Sequence, residues 1–278
     1  MLMELQLQVK PPLIDTHAHL ADARLADRLN EVLRAASDRG VARILAIGTT
    51  AADSQSVVQI AGTYPGVFAT VGIQPNHVAE AAAGDWASIE RLAREPNVVA
   101  LGETGLDRYW DYTPFDQQQA MFDRHLELAR ALDKPVVIHC RDCEADIVAQ
   151  LERARPPVRG VLHSFTGTWD DAQAFLALGL HISFAGMITF PTKKLDALRD
   201  AAARIPLDRV LVETDSPYLA PQSVRGKTNE PGHVAETAAF VAKLRDLSVE
   251  DFAAATTANA RALFRLPEFE VAASARSK

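Results

Sequence analysis

Apolar and polar positions along the chain follow two alternating periods. Short runs rich in Val, Ile and Leu at 13–17, 43–47, 67–71, 98–102, 135–139, 160–163, 181–184 and 210–213 have the length and β-branched content of buried strands. Between them, stretches at 25–39, 54–63, 86–94, 115–132, 142–153, 169–178 and 192–204 space their apolar residues as one face of a helix. The same period returns at 233–245 and 249–264, after a loop-like segment at 217–231. Asp53 and Thr113 stand where helix N-caps are expected, Pro114 suits a first helical position, and Gly40 and Gly179 suit helix C-termini. Strand and helix alternating through eight units predict a parallel sheet closed as a (β/α)8 TIM barrel, a fold of the α/β class.

Length agrees with this pattern. A chain of 278 residues fits the roughly 250 residues of one such barrel. We expect a single domain over 1–266, followed by a small, polar, flexible tail at 267–278. With 48% apolar and 23% charged residues the composition is that of an ordinary globular protein rather than a disordered one. The first ten residues alternate in polarity and include Glu4, unlike a signal peptide, and no run is long enough to cross a membrane. The expected location is the cytoplasm, and the expected state a monomer. Only Cys140 and Cys143 are present, too few for a disulfide framework. Their C-x-x-C spacing lacks the second pair of a zinc site, so a buried apolar role is expected. A net charge of −7 argues against a broad basic face for nucleic acid and leaves only a local positive cleft.

Candidate chemistry gathers at one end of the predicted strands. His17 and His19, two apart, aim their imidazoles to one side of a strand. Alone this is a weak sign, because eight histidines in 278 residues can give such a pair by chance, and a lone histidine at a strand end, such as His163, is more often a hydrogen-bonded structural residue. However, Glu103 follows the fourth strand, His139 and His163 end the fifth and sixth, and Asp215 follows the eighth. In a closed parallel barrel all six positions share the C-terminal face, where catalytic residues sit. Imidazoles with carboxylates suit Zn or Mn, with Mg bound through oxygen. Six donors exceed the needs of one ion with an open position, so two divalent ions about 3.5–4 Å apart, bridged by Glu103, are expected. His125 and His181 read as structural, and His77 lies on the functional side without a role.

The stretches carrying these residues resemble the TatD family of metal-dependent hydrolases, within the amidohydrolase-like barrel superfamily. They are Ile14-Asp15-Thr16-His17-Ala18-His19-Leu20, Gly102-Glu103-Thr104-Gly105-Leu106-Asp107, Pro135-Val136-Val137-Ile138-His139, His163-Ser164-Phe165-Thr166-Gly167, Leu211-Val212-Glu213-Thr214-Asp215-Ser216-Pro217-Tyr218 and Arg225-Gly226-Lys227-Thr228-Asn229-Glu230-Pro231. The resemblance implies that His17, His19, Glu103 and Asp215 ligate one metal, while Glu103, His139 and His163 hold a second. It also implies deoxyribonuclease action on a single strand or 3′ end, with Mg or a similar ion. One departure is Gln74-Pro75-Asn76, followed by His77, where the family usually has a His-Pro-His-like segment. Gln and Asn can hydrogen-bond a phosphate or sugar, but neither is a base or a good ligand.

On this reading Glu103 and Asp215 are catalytic, with Asp215 orienting or deprotonating the attacking water. Asp15, Asp107 and Glu213 would orient imidazoles. Arg108, Arg141, Arg225 and Lys227 would clamp phosphate, and Trp110, Tyr112, Phe165 and Tyr218 would stack on bases. Two alternatives stay open. The same barrel could hydrolyse cyclic amides, lactones or small phosphoesters, or the chain could be a metal-binding scaffold without activity.

Overall fold

The computed structural model describes residues 11–154 and 157–269. Its eight strands are β1 (Leu13–Ala18), β2 (Val41–Ile47), β3 (Val67–Val71), β4 (Val98–Asp107), β5 (Val136–Arg141), β6 (Gly160–Leu162), β7 (His181–Phe184) and β8 (Val210–Val212). Each pairs in parallel with the next in chain order. The seam between β8 and β1 is closed by a bridge between Ala18 and Ser216. There the His19 N–H donates to the Ser216 carbonyl at 2.7 Å and the Asp215 N–H to the His17 carbonyl at 2.8 Å. The expected barrel is the one observed.

The helices are α1 (Ala23–Ala26), α2 (Leu29–Asp38), α3 (Ala51–Thr63), α4 (Asp85–Leu92), α5 (Phe115–Leu132), α6 (Glu144–Arg153), α7 (Trp169–Ala177), α8 (Asp196–Arg204), α9 (Val234–Leu244) and α10 (Val249–Phe264). The stretch read as one helix from 25 to 39 is two, because Arg28 leaves helical geometry (φ −133°) and reaches across to Glu230. Thr50, not Asp53, caps α3; Asp53 lies a turn inside and takes the Thr49 N–H and hydroxyl. Thr113 caps nothing, its hydroxyl accepting instead from the Ala79 N–H. None of the described helices is long and apolar enough to cross a membrane.

Two apolar layers form. Inside the barrel, Ile14, Leu45, Ile47, Ala100, Val137, Val161 and Leu211 meet Ala260, Leu263 and Phe264 of α10. The larger layer lies between the strands and the surrounding helices. Beyond α10, Arg43 donates to the Pro267 and Glu268 carbonyls and lies 4.3 Å from the Phe269 ring. The first three residues of the expected tail are thus docked, and the rest of it lies outside the described residues, as does the leader-free reading of the first ten.

Two irregularities in the ladders determine what faces the barrel mouth. From Asp15 to Ala18, β1 advances three residues while β2 advances two, from Ile44 to Ala46. Likewise β4 runs from Leu101 to Thr104 against only Val136 to Ile138 of β5. One extra residue on a strand is a bulge, and it turns the side chains after it to the other face. These two bulges lie beside His17 and Glu103. Glu103 itself sits within β4 rather than after it, because the strand continues beyond its bulge to Asp107.

His125 is structural, as expected. Its Nδ1–H donates to the Met121 carbonyl at 2.8 Å while Nε2 accepts the Ile73 N–H at 3.1 Å, which fixes the neutral ring. Burial pushes its pKa down to about 4 from the usual 6.5. Between those values the unfolded chain holds a proton that the folded one refuses, so this residue's contribution falls as pH drops from about 6.5 to about 4, by roughly 3 kcal/mol. In urea unfolding followed between pH 7 and 4, the stability advantage of the wild type over His125→Gln should shrink by about that amount; a constant difference would contradict the assignment.

Candidate metal centre

The six predicted ligands converge. Two bulges and the β8 to β1 seam bring His17, His19 and Asp215 to one side of the Glu103 carboxylate, and His139 and His163 to the other. Glu103 Oε2 lies 3.4 Å from His17 Nε2 and 3.8 Å from His19 Nε2. Asp215 Oδ1 completes this side at 3.2 Å from His19 Nε2 and 3.6 Å from His17 Nε2. Glu103 Oε1 lies 3.0 Å from His139 Nδ1 and 3.3 Å from His163 Nε2, and those two nitrogens are 3.4 Å apart. Donors bound at about 2.1 Å around one ion stand roughly 3.4 Å apart in a tetrahedron, so these donor pairs, at 3.0 to 3.8 Å, have a spacing that suits a divalent cation. His17, His163 and Asp215 also come within 4.8 Å of one another. The contacts divide more cleanly by the two Glu103 oxygens, and the His17 and His163 rings stack at 3.9 Å across that division.

Backbone geometry permits this crowding. Glu103 lies between Gly102 (φ +137°) and Gly105 (φ +133°), where a Cβ would stand 2.6 Å from the Val137 carbonyl oxygen and 2.1 Å from that of His139. Only glycine allows β4 to approach β5 so closely at these angles.

A second ring of carboxylates orients the imidazoles. Asp107 Oδ2 accepts from His139 Nε2 at 2.9 Å, which leaves Nδ1 facing Glu103. Glu213 Oε1 lies 3.3 Å from His163 Nδ1 and accepts the Ser164 N–H at 2.7 Å. Asp15 acts differently from expectation: it accepts the backbone N–H groups of His17 and Thr214 and the Thr214 hydroxyl, touching no imidazole. It therefore holds the β1 to β8 seam. His17 Nδ1 is buried without a partner.

The electrostatics follow from packing acids among imidazoles. Burial alone would raise the Glu103 pKa, yet His163, His139 and His17 hold it well below the ordinary glutamate value. Asp215 is held low against its burial by His19 and His17. Burial opposes protonation of His139, but Asp107 and Glu103 bring its pKa up to about 9. Burial, followed by the charge of His163, keeps the His17 pKa below normal. Both carboxylates are thus ready to bind cations.

The cluster lies at the floor of a cavity of about 960 Å³. Of the four predicted phosphate contacts, only Arg141 lines it. Arg108 is turned aside by a two-pronged pair with Asp146, at 2.7 and 2.9 Å. Arg225 lies over the Phe190 ring, and Lys227 is exposed away from the lining. Phe165 is 3% exposed and packs on Phe184, so it has no face to offer a base. Gln74 and Asn76 do line the cavity, but their amides are partly committed: Gln74 Oε1 accepts the Asn76 N–H, and Asn76 Nδ2 donates to Asp107. Cys140 and Cys143 are free thiols with sulfurs 3.7 Å apart. Cys143 is buried, and Cys140 is partly open to the cavity rather than buried as expected. Tyr109 escaped the sequence reading, although its place in an aromatic run with Trp110 and Tyr112 signalled it.

Comparison with known proteins agrees with this geometry. The family model described as TatD related DNase matches residues 14–265. The chain is 40% identical over 258 residues to the metal-dependent hydrolase YcfH of Escherichia coli, covering 91% of this chain and 96% of that protein. It is 38% identical over 260 residues to the 3′-5′ ssDNA/RNA exonuclease TatD of Pantoea vagans, covering 91% of this chain and all of that one (100%). Among solved structures, the TatD homologue YJJV of Escherichia coli superposes with a TM-score of 0.87 at 30% identity, over 92% of this chain and 98% of that one. A barrel with imidazoles and carboxylates gathered at its mouth and a family match over nearly its whole length make this chain a member of the TatD family of metal-dependent hydrolases.

Proposed function

We propose that the protein is a 3′-5′ exonuclease acting on single-stranded DNA in the cytoplasm, as a monomer, with two divalent ions of Mg, Mn or Zn. His17, His19, Asp215 and one oxygen of Glu103 would hold the first ion, and His139, His163 and the other oxygen of Glu103 the second. The observation that carries the reading is the two-sided environment of Glu103. Bound there, such ions would lower the pKa of a water and neutralise phosphoryl oxygens. The named activity of the Pantoea vagans relative, on ssDNA and RNA, supports the substrate class. Two free cysteines suit a reducing compartment.

The chain's own groups supply the rest. Asp215 lines the cavity and can take the proton of an attacking water at its carboxylate. Arg141 presents a cation in the cavity lining, beside Asp22, Asp53 and Asp142, where it can offset phosphate charge. Asp107 fixes the His139 ring. Its other oxygen accepts the Tyr109 and Trp110 N–H groups at 2.8 and 3.0 Å, so an amide in its place could serve one set of donors only. Asp107→Asn should weaken metal binding by about 10- to 100-fold, read by calorimetric titration with Mn²⁺; unchanged affinity would remove Asp107 from this role.

The activity test uses 5′-labelled single-stranded DNA and protein stripped of metal, then refilled with Mg²⁺, Mn²⁺ or Zn²⁺. A ladder shortening stepwise from the 3′ end is the expected product. Intact DNA with every metal, beside turnover of a lactone or small phosphoester, would replace the nuclease by the other barrel hydrolase.

A further inference from the structure

Among the described residues, most of the large apolar side chains left exposed surround one cavity. These exposed side chains are Tyr109, Trp110, Tyr112, Tyr218 and Val249, at 41% to 60% exposure, and all but Val249 line the cavity above the metal cluster. Exposed aromatics concentrated at one place mark a binding surface, whereas scattered ones need no explanation.

Two of them form a built shelf, with Tyr109 standing upright at its edge. Trp110 and Tyr112 stack with ring centroids 5.3 Å apart and planes 13° from parallel, and Tyr109 meets Trp110 edge-on at 4.7 Å. The Arg141 guanidinium lies 3.7 Å from the Tyr109 ring centroid, which places a cation beside the flat faces. The segment is pinned at both ends. Asp107 Oδ1 takes the Tyr109 and Trp110 N–H groups, and the buried Gln118 amide donates to the carbonyls of Asp107 and Thr113 at 3.1 and 3.0 Å. The shelf is therefore ordered in advance, so a ligand that stacks on it loses little by ordering it. Asp107 also orients His139, so the carboxylate that seats the shelf also sets a candidate metal ligand.

We propose that the shelf of Trp110 and Tyr112, edged by Tyr109, seats unpaired nucleobases of the strand being cut, with Arg141 taking an adjacent phosphate. This rests on the nuclease reading above and adds to it a specificity-determining surface. Every base has a π-face, so stacking tolerates any sequence, but a base must be unpaired to offer that face. The shelf thus selects for single strands by what it contacts, without reading sequence.

The test compares two labelled oligothymidylates of equal length, one normal and one whose 3′-proximal nucleotides are abasic. Both are offered to the Mn²⁺-loaded protein and to Trp110→Ala, Tyr112→Ala and Trp110→Phe. Binding is followed by fluorescence anisotropy, and cleavage by product length. The wild type should bind the normal strand better, and each alanine variant should lose roughly 10-fold on that strand, seen as a higher Kd and KM at similar kcat. Binding of the abasic strand should be unchanged, which shows that the variants are folded, and Trp110→Phe should keep most of the preference. Equal binding of the two strands by the wild type, or equal losses on both in the variants, would overturn the shelf even if the DNA is cut. A base-dependent preference that Trp110→Ala abolishes, without cleavage by any metal, would support the shelf while removing the nuclease reading.

Discussion

Glu103→Gln should lower kcat for phosphodiester hydrolysis by roughly 10³-fold or more, with the fold intact. The amide keeps the shape of the side chain but only one oxygen and no charge. In the wild type, Oε1 faces His139 and His163 while Oε2 faces His17 and His19, so the substitution turns an acceptor toward one side and an N–H₂ toward the other. One ion should be lost outright and the other weakened, and KM should change little, since Glu103 lies below the shelf and Arg141. Steady-state kinetics with Mn²⁺ measures this. A loss of less than about 10-fold would mean that Glu103 is not shared between two ions.

Gly105→Ala should be the most destabilising small substitution in the barrel. Its φ of +133° excludes a side chain, and an added Cβ would meet the His139 carbonyl oxygen at 2.1 Å. Backbone strain of about 1–3 kcal/mol and overpacking of similar size together suggest about 2–6 kcal/mol. Thermal unfolding should fall by roughly 4–24 °C. The displaced strand carries His139, so metal affinity should fall as well. Gly40→Ala is the contrast: its φ is also positive, +84°, but nothing lies within 4 Å of the added Cβ. That variant should lose only about 1 kcal/mol. Equal losses at the two positions would show that the close approach of β4 and β5 does not limit the site.

The barrel was legible in the sequence because each strand is a short β-branched run and each helix an amphipathic stretch, and these local patterns survive in the folded chain. The convergence of the six candidate ligands was legible because these imidazoles and carboxylates fell at the same end of those runs. What the pattern did not show depends on pairing between distant residues. The bulges beside His17 and Glu103 are properties of two strands in register, so the sequence pattern puts Glu103 after β4 instead of within it. Arg108 reads as a free cation until Asp146, 38 positions away, is seen to hold it. Phe165 has the same composition signal as Trp110, and only its burial against Phe184 separates a core ring from a surface one. The segment Gln74-Pro75-Asn76 could be read only as a departure, whereas the structure gives Asn76 a partner, Asp107, and through it a link to His139.

The proposed chemistry requires two cations flanking one carboxylate. Crystals of the wild-type protein grown with Mn²⁺ and measured at the manganese absorption edge test this directly. The expected anomalous map has two peaks about 3.5–4 Å apart, one against His17, His19 and Asp215 and the other against His139 and His163, with Glu103 between them. A single peak, or two that leave Glu103 untouched, would contradict the account.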